Sequence, residues 1–309
     1  MRIFDGHCDT LSKINHPDEL IRNGFHWDLE RAGKYGAYVQ VLSSFAGDVQ
    51  RYDPAAVMES QLEKAIAFES NHPDRLKLIR SASDLKASEN GGVFGILGAE
   101  GAEIFKGSIK ELERWFRKGL RVVTLCWNYD NEVCDSVAGR RTHRGLSPFG
   151  RKVVERMQEL GMVIDLSHTS DETFEDVISR VSSPVAATHS NCRAICGHPR
   201  NLTDEQIRGI AGTDGVIGIN FYAYFLTGSG KARIKDIISH IEHISGLVGT
   251  RHIGLGCDFD GADPMPEGIT GAESLTLVLE TLAKANYSEQ DIRMIAGGNF
   301  LRIFTRILR

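Results

Sequence analysis

The chain has 309 residues, 41% of them hydrophobic and 25% charged, with a net charge of −5. That is the composition of a folded protein able to bury a full core, and its scattered Lys and Arg on an acidic balance exclude bulk attraction to nucleic acid. No stretch approaches ~18 uninterrupted apolar residues and the N-terminus carries no apolar run of secretory length, so neither a membrane span nor an exported protein is expected. The six cysteines (Cys8, Cys126, Cys134, Cys192, Cys196, Cys257) show no C-x-x-C spacing. Free thiols in a reducing, cytoplasmic setting follow, and Cys192, Cys196 and His198 lack the second pair that a structural zinc needs.

In chain order, short runs rich in Val and Ile and bounded by Gly or Pro predict eight strands: 2–7, 37–45, 92–100, 121–128, 162–168, 184–190, 215–221 and 252–260. Apolar residues at three- and four-residue steps predict helices over 54–71, 108–119, 147–161, 170–181, 203–212 and 233–248. Ser108 with Glu111, and Thr203 with Gln206, have the spacing of a capping box; Ser170 with Thr173 does not. The segment 11–36 reads as irregular, with one short helix near Asp28 to Gly33. Strand and helix thus alternate about eight times over roughly 250 residues, the pattern and size of an α/β fold of the (β/α)8 TIM-barrel type, here a single domain over 1–309. A doubly wound open sheet is the rival, but "DGHCDT" at 5–10 is not the Gly-rich first turn of that fold.

The strand ends carry the chemistry. His7 and Asp9 share one face of the first strand, ~7 Å apart. Glu100 ends the third, His168 the fifth, His189 the sixth, and Asp258 with Asp260 the eighth. In a barrel these ends gather at one mouth, where clustered carboxylates repel and desolvate badly unless a cation sits among them. Imidazole and carboxylate ligands without thiolate suit zinc, with manganese or cobalt as alternatives. Three histidines and two carboxylates suit two metals that share one carboxylate. His7, Asp9 and Glu100 would hold one; Glu100, His168 and His189 the other. Such a pair holds a hydroxide between the ions, and Asp258 remains as general base and then proton donor to the leaving group.

These residues lie in motifs that resemble the membrane (renal) dipeptidase family of metal-dependent hydrolases. The matching pieces are "DGHCDT", "GAEG" (98–101), "DLSH" (165–168), "THSN" (188–191), "HPRNLTD" (198–204), "GLGCDFDG" (254–261) and "GGNFLRIF" near the C-terminus, in the family's order along essentially the whole chain. The resemblance implies two zinc ions on His7, Asp9, Glu100, His168 and His189 with Glu100 bridging, proton transfer by Asp258, and dipeptides as substrates. It also implies that Arg200 grips the substrate carboxylate, a task suited to a bidentate guanidinium, and that the protein pairs as a homodimer. One departure stands out. The family's fourth strand ends "TLTHN", with a histidine that contacts the substrate near the scissile carbonyl, whereas this chain has "TLCWN". An indole can donate one hydrogen bond but takes no proton. Trp127 is therefore expected as an apolar wall, with Trp127 and Asn128 against the substrate. This departure keeps open a related hydrolase of another amide, lactam or ester; a non-catalytic metal-binding protein is the third reading. Among the other histidines, His252 is expected to be structural and His240 and His243 to lie at the surface; His143 sits in an arginine-rich loop that could overhang the pocket, but a role against substrate is not expected of it. Asp260 is expected to brace a ligand or the rim, and Cys8 to point away from its flanking ligands.

Overall fold

A computed structural model describes residues 1–47 and 53–309. Eight parallel strands close into a ring: β1 Arg2–Cys8, β2 Ala37–Phe45, β3 Gly92–Glu100, β4 Leu120–Thr124, β5 Val163–Asp165, β6 Ala186–Ala187, β7 Val216–Ile219 and β8 Ile253–Leu255. Each pairs with the next, β2 and β3 over nine residues, and β8 meets β1 at Leu255 and Asp5. A two-residue strand, Lys77–Leu78, adds to the lower half of β3. This is the (β/α)8 barrel that the alternation predicts, and helices surround it. No helix among the described residues is long and apolar enough to cross a membrane.

The strand alternation sorts two cores. Val39 and Val41 of β2 point into the barrel with Phe4, Ile96, Val122, Val163 and Val216, whereas Tyr38 and Leu42 face the helices outside. β8 has Gly254 at the inner position because Phe300 takes the space; a Cβ there would lie 2.5 Å from the Phe300 ring. Phe300 and Phe304, on the helix Asn299–Ile307, pack on Phe4 with centroids 5.2 and 4.8 Å away. That helix, outside the helices read from periodicity, belongs to the inner core and leaves the opposite, C-terminal mouth open for chemistry.

Pro54–Asn71 coincides with the predicted helix, begun by Asp53 accepting from the Ala55 and Ala56 amides and by proline at the first turn. Thr203 and Gln206 do form the capping box. Ser108 makes no side-chain cap, whereas Ser170 caps its helix by accepting from the Thr173 amide without needing an acid there. The 11–36 segment holds the helix Leu29–Ala32, as expected, a turn of helix at Thr10–Lys13 and a 3-10 turn at Pro17–Leu20.

The later strands end sooner than the apolar runs suggest. β5 stops at Asp165 and β8 at Leu255, three residues before His168 and Asp258. The reason lies in the backbone: His168, Asp258 and Asp260 have φ of 69°, 59° and 68°. Left-handed geometry cannot continue a strand and is costly for non-glycine residues, a feature that concentrates at functional sites.

Candidate metal centre

Five strand ends deliver six side chains to one buried point. Glu100 Oε1 lies 3.0 Å from His168 Nε2 and 3.2 Å from His189 Nε2, while its Oε2 faces His7 Nε2 at 3.7 Å. His7 Nε2 is 3.5 Å from Asp9 Oδ1. Ligand atoms of His7, Glu100 and His189 all lie within 4.8 Å of one another, as do those of His7, Asp9 and Asp258. Asp258 turns Oδ2 to the Asn220 amide at 2.9 Å. Gly261 permits this crowding, since a Cβ there would overlap both Asp9 and Asp258.

Each imidazole is held from behind. His168 Nδ1 is 3.0 Å from Asn128 Oδ1, His189 Nδ1 is 2.8 Å from Thr188 Oγ, and His7 Nδ1 is 3.3 Å from Ser43 Oγ. Such partners orient ligand imidazoles and set which nitrogen is free. Asn128 lines the cavity, but its side-chain oxygen is engaged by His168. Ser43, Thr188 and Asn220 were not singled out in the sequence; they are ordinary polar residues whose spacing from the ligands carries no signal.

The electrostatics show what the cluster lacks. Burial, reinforced by Asp9 and Asp258, pushes the Glu100 carboxyl well above the usual carboxylate range. Burial likewise lifts Asp258 to about 6, with Asp9 adding to the rise and His7, Asn220 and Arg200 opposing it. Burial drives His168 and His189 well below the usual imidazole range, helped by the charges of Arg200 and His7. Burial also opposes charge on His7, but Glu100 and Asp9 overcome it and raise the group to about 10.

The residues fit a metal pair on the chemistry of these atoms. His168 and His189 are neutral, each with its Nδ1 partnered, and their Nε2 atoms face one another at 3.1 Å with Glu100 Oε1 between them. Two imidazole Nε2 lone pairs converge on one carboxylate oxygen, more acceptors than a single carboxyl proton can satisfy, an arrangement that a cation satisfies. On the other side, His7 Nε2 and Asp9 Oδ1 are buried without any hydrogen-bond partner.

A cavity of about 220 Å³ opens above these groups, small beside a drug-sized pocket of ~300 Å³ or more. Asp9, Glu100, His168 and Asp258 form its floor; Phe45, Trp127, Tyr222 and Phe225 supply aromatic walls. Trp127 packs edge-on against Phe45 at 4.5 Å. Arg200 does not line this cavity. It is buried behind His168 at a separate space of about 10 Å³, with Phe225 stacked 5.4 Å from its guanidinium. Nη2 donates to the His189 carbonyl at 3.2 Å, and Nε is buried with no partner.

The remaining expectations divide. Asp260 braces the rim, accepting from the Thr10 hydroxyl at 2.5 Å and the His26 amide at 2.6 Å. Cys8 is buried in the outer core, away from the ligands. His252 bonds the Gly215 carbonyl at 2.9 Å, a structural contact. His240 is not at the surface: it is fully buried, with Nδ1 accepting from the Cys192 amide and Nε2 donating to the Leu226 carbonyl, because its helix turns that face inward. His243 is part-exposed and faces Asp204 at 2.7 Å. His143 points to the Asn131 carbonyl and is not among the cavity-lining residues.

Known proteins share this fold and chain. An uncharacterized dipeptidase of Schizosaccharomyces pombe is 38% identical over 277 residues, 89% of this chain and 64% of that protein. An uncharacterized protein encoded in the pqqA 5′ region of Klebsiella pneumoniae is 31% identical over 265 residues, 82% of this chain and 97% of that protein. Against the S. pombe protein, then, the chain spans under two thirds of the relative's length. Among solved structures, a metallo peptidase from Rhodobacter sphaeroides, liganded with a phosphinate mimic of the dipeptide L-Ala-D-Ala, superposes with a TM-score of 0.89 at 25% identity, covering 99% of both chains. The family described as membrane dipeptidase, peptidase family M19, matches residues 1–308, and the chain belongs to that family.

Proposed function

We propose that the chain is a binuclear metal-dependent dipeptidase, one catalytic barrel domain over residues 1–309, that hydrolyses dipeptides with a free C-terminal carboxylate. The observation that carries this reading is the buried convergence of Glu100 Oε1 on the Nε2 atoms of two neutral imidazoles, His168 and His189, while its Oε2 faces His7. His7, Asp9 and Glu100 would hold one cation, and Glu100, His168 and His189 the other. Zinc suits this ligand set, with manganese or cobalt as alternatives. Bound there, two divalent cations supply Lewis acidity toward the scissile carbonyl and lower the pKa of water.

The chain's own groups do the rest. Asp258, its Oδ2 anchored by Asn220, takes a proton from the attacking water at Oδ1 and returns it to the departing nitrogen. Arg200 suits the substrate carboxylate by its chemistry, and because its guanidinium lies behind His168 outside the cavity, that grip would require the side chain to turn toward the mouth. The aromatic walls shed water and leave room for two small residues. The phosphinate dipeptide mimic in the R. sphaeroides relative supports the substrate class. A homodimer follows from the family resemblance, and six free buried cysteines favour a reducing, cytoplasmic compartment.

Protein loaded with zinc should carry two ions per chain, release amino acids from dipeptides and spare N-acetylated, C-amidated ones. Glu100→Ala should lose both metal and turnover; turnover that survives the substitution would refute the reading. Trp127 favours one second reading, because its indole cannot take a proton as the family's histidine can. Turnover of lactams or esters with none of dipeptides would select that alternative.

A further inference from the structure

His189 can offer Nε2 to a cation only if its single proton sits on Nδ1. What keeps it there is not its immediate neighbour. Thr188 Oγ, 2.8 Å from Nδ1, belongs to a hydroxyl that could donate as easily as accept. The answer lies one contact further back, at Asp165, the last residue of β5.

Asp165 is fully buried at the barrel's core. Its Oδ1 accepts from the Thr188 amide at 2.8 Å and the Ser167 amide at 3.0 Å. Its Oδ2 accepts from the Thr124 hydroxyl and the Thr188 hydroxyl, each at 2.5 Å. Four donors fill the four acceptor positions of a carboxylate, so Asp165 has no proton to give and takes the only one that Thr188 has. Thr188 Oγ then faces His189 purely as an acceptor. The imidazole must donate from Nδ1, which leaves the Nε2 lone pair aimed at Glu100 Oε1 and His168 Nε2. His168 receives the same instruction directly from the Asn128 amide oxygen, whereas His7 meets only the Ser43 hydroxyl, which dictates neither tautomer.

We propose that Asp165 is a positioning residue that sets the His189 tautomer through the Thr188 hydroxyl and thereby makes the His168–His189 cation position competent. The proposal rests on the metal-pair reading for its consequence, but the tautomer is a property of the metal-free chain and is measured there.

Asp165→Asn is the informative substitution because it is isosteric and reverses the polarity of one atom. The two amide donors at Oδ1 keep the carboxamide oxygen in place, so the new NH2 faces Thr124 and Thr188. It donates to Thr188 Oγ; the threonine proton swings to His189 Nδ1; the imidazole, neutral throughout, carries its proton on Nε2. Nitrogen-15 shifts of the metal-free protein should therefore report His189 as Nδ1–H in the wild type and Nε2–H in the variant. Zinc content should fall from two ions per chain toward one. Chelator competition should show one site weakened by ~10–100-fold, the range for lost outer partners of a ligand, and the other unchanged. Thr188→Val should weaken the same site while Thr188→Ser restores it, a pair that decides the matter if the Asp165 variant does not fold. An Asp165→Asn protein that keeps His189 at Nδ1–H and binds two zinc ions with wild-type affinity would overturn the proposal, as would a Thr188→Val protein indistinguishable from wild type. Wild-type protein that binds no zinc would instead refute the metal-pair reading, and the nitrogen-15 comparison would still decide the relay.

Discussion

Glu103 shows what burial alone does to an acid. It sits in the turn Ala102–Phe105, three residues past Glu100, with its carboxylate folded over Gly101. Burial raises it from 4.5 to about 7; hydrogen bonds from its own backbone and from Asn131 offset part of that rise, and Glu132 adds to it. A folded-state value above the unfolded one means stability that is fully present below pH ~4.5 and is lost as the pH climbs through 7. Glu103→Gln removes the titration. Urea unfolding of the metal-free protein should find the variant favoured over wild type at pH 8 relative to pH 5, by on the order of 2 kcal/mol. A difference that does not change between those pH values would contradict this account. Gly101 belongs to the same turn: its φ of 121° suits glycine, and a side chain there would collide with the Glu103 carboxylate.

Secondary-structure elements here begin with different degrees of support. The helix Asp204–Gly212 starts from a full capping box, in which Thr203 Oγ accepts from the Gln206 amide at 3.2 Å and Gln206 Oε1 accepts from the Thr203 amide at 2.9 Å. The helix Ile109–Lys118 starts at Ser108 with the same spacing of residues but no side-chain cap. Its stability comes from Leu112 and Trp115, both fully buried, and from a Gly119 C-cap at φ 111°. Thr203→Ala should therefore cost about 1 kcal/mol, and Ser108→Ala should stay within roughly 0.5 kcal/mol of wild type. Thermal melts of the two variants separate these outcomes; equal losses would show that residue spacing, not the observed hydrogen bonds, governs the ends.

At the scale of the whole barrel, closure stores the cost of the site. Glu100, Asp9 and Asp258 are held together in a water-poor mouth, and Glu100 and Asp258 are both raised by burial. Cations held there, as proposed, would relieve that cost and would bind only the closed ring, because strands β1, β3, β5 and β6 reach one point only when folded. Zinc at 1,000 times its dissociation constant should add about 4 kcal/mol. Chelation should lower the melting temperature reversibly, and zinc should restore both the melt and the dipeptide turnover. A melt that chelation leaves unmoved would mean that the mouth is stable without metal.

Apolar runs and helical periodicity spelled out the alternation of strands and helices, since each element's period is a local property of its own residues. The candidate site residues were legible for a similar reason. His7, Asp9, Glu100, His168, His189 and Asp258 each follow an apolar run closely, and acids and imidazoles in that position are conspicuous one strand at a time. Neither the early strand breaks at positive φ, nor the buried face of His240, nor the Phe300 ring in place of a β8 side chain could be read this way. The same holds for Ser43, Asn220 and the chain from Asp165 through Thr188 to His189. These depend on which distant groups meet once the ring closes, and a hydroxyl or amide becomes donor or acceptor only through the partner that tertiary contact assigns to it.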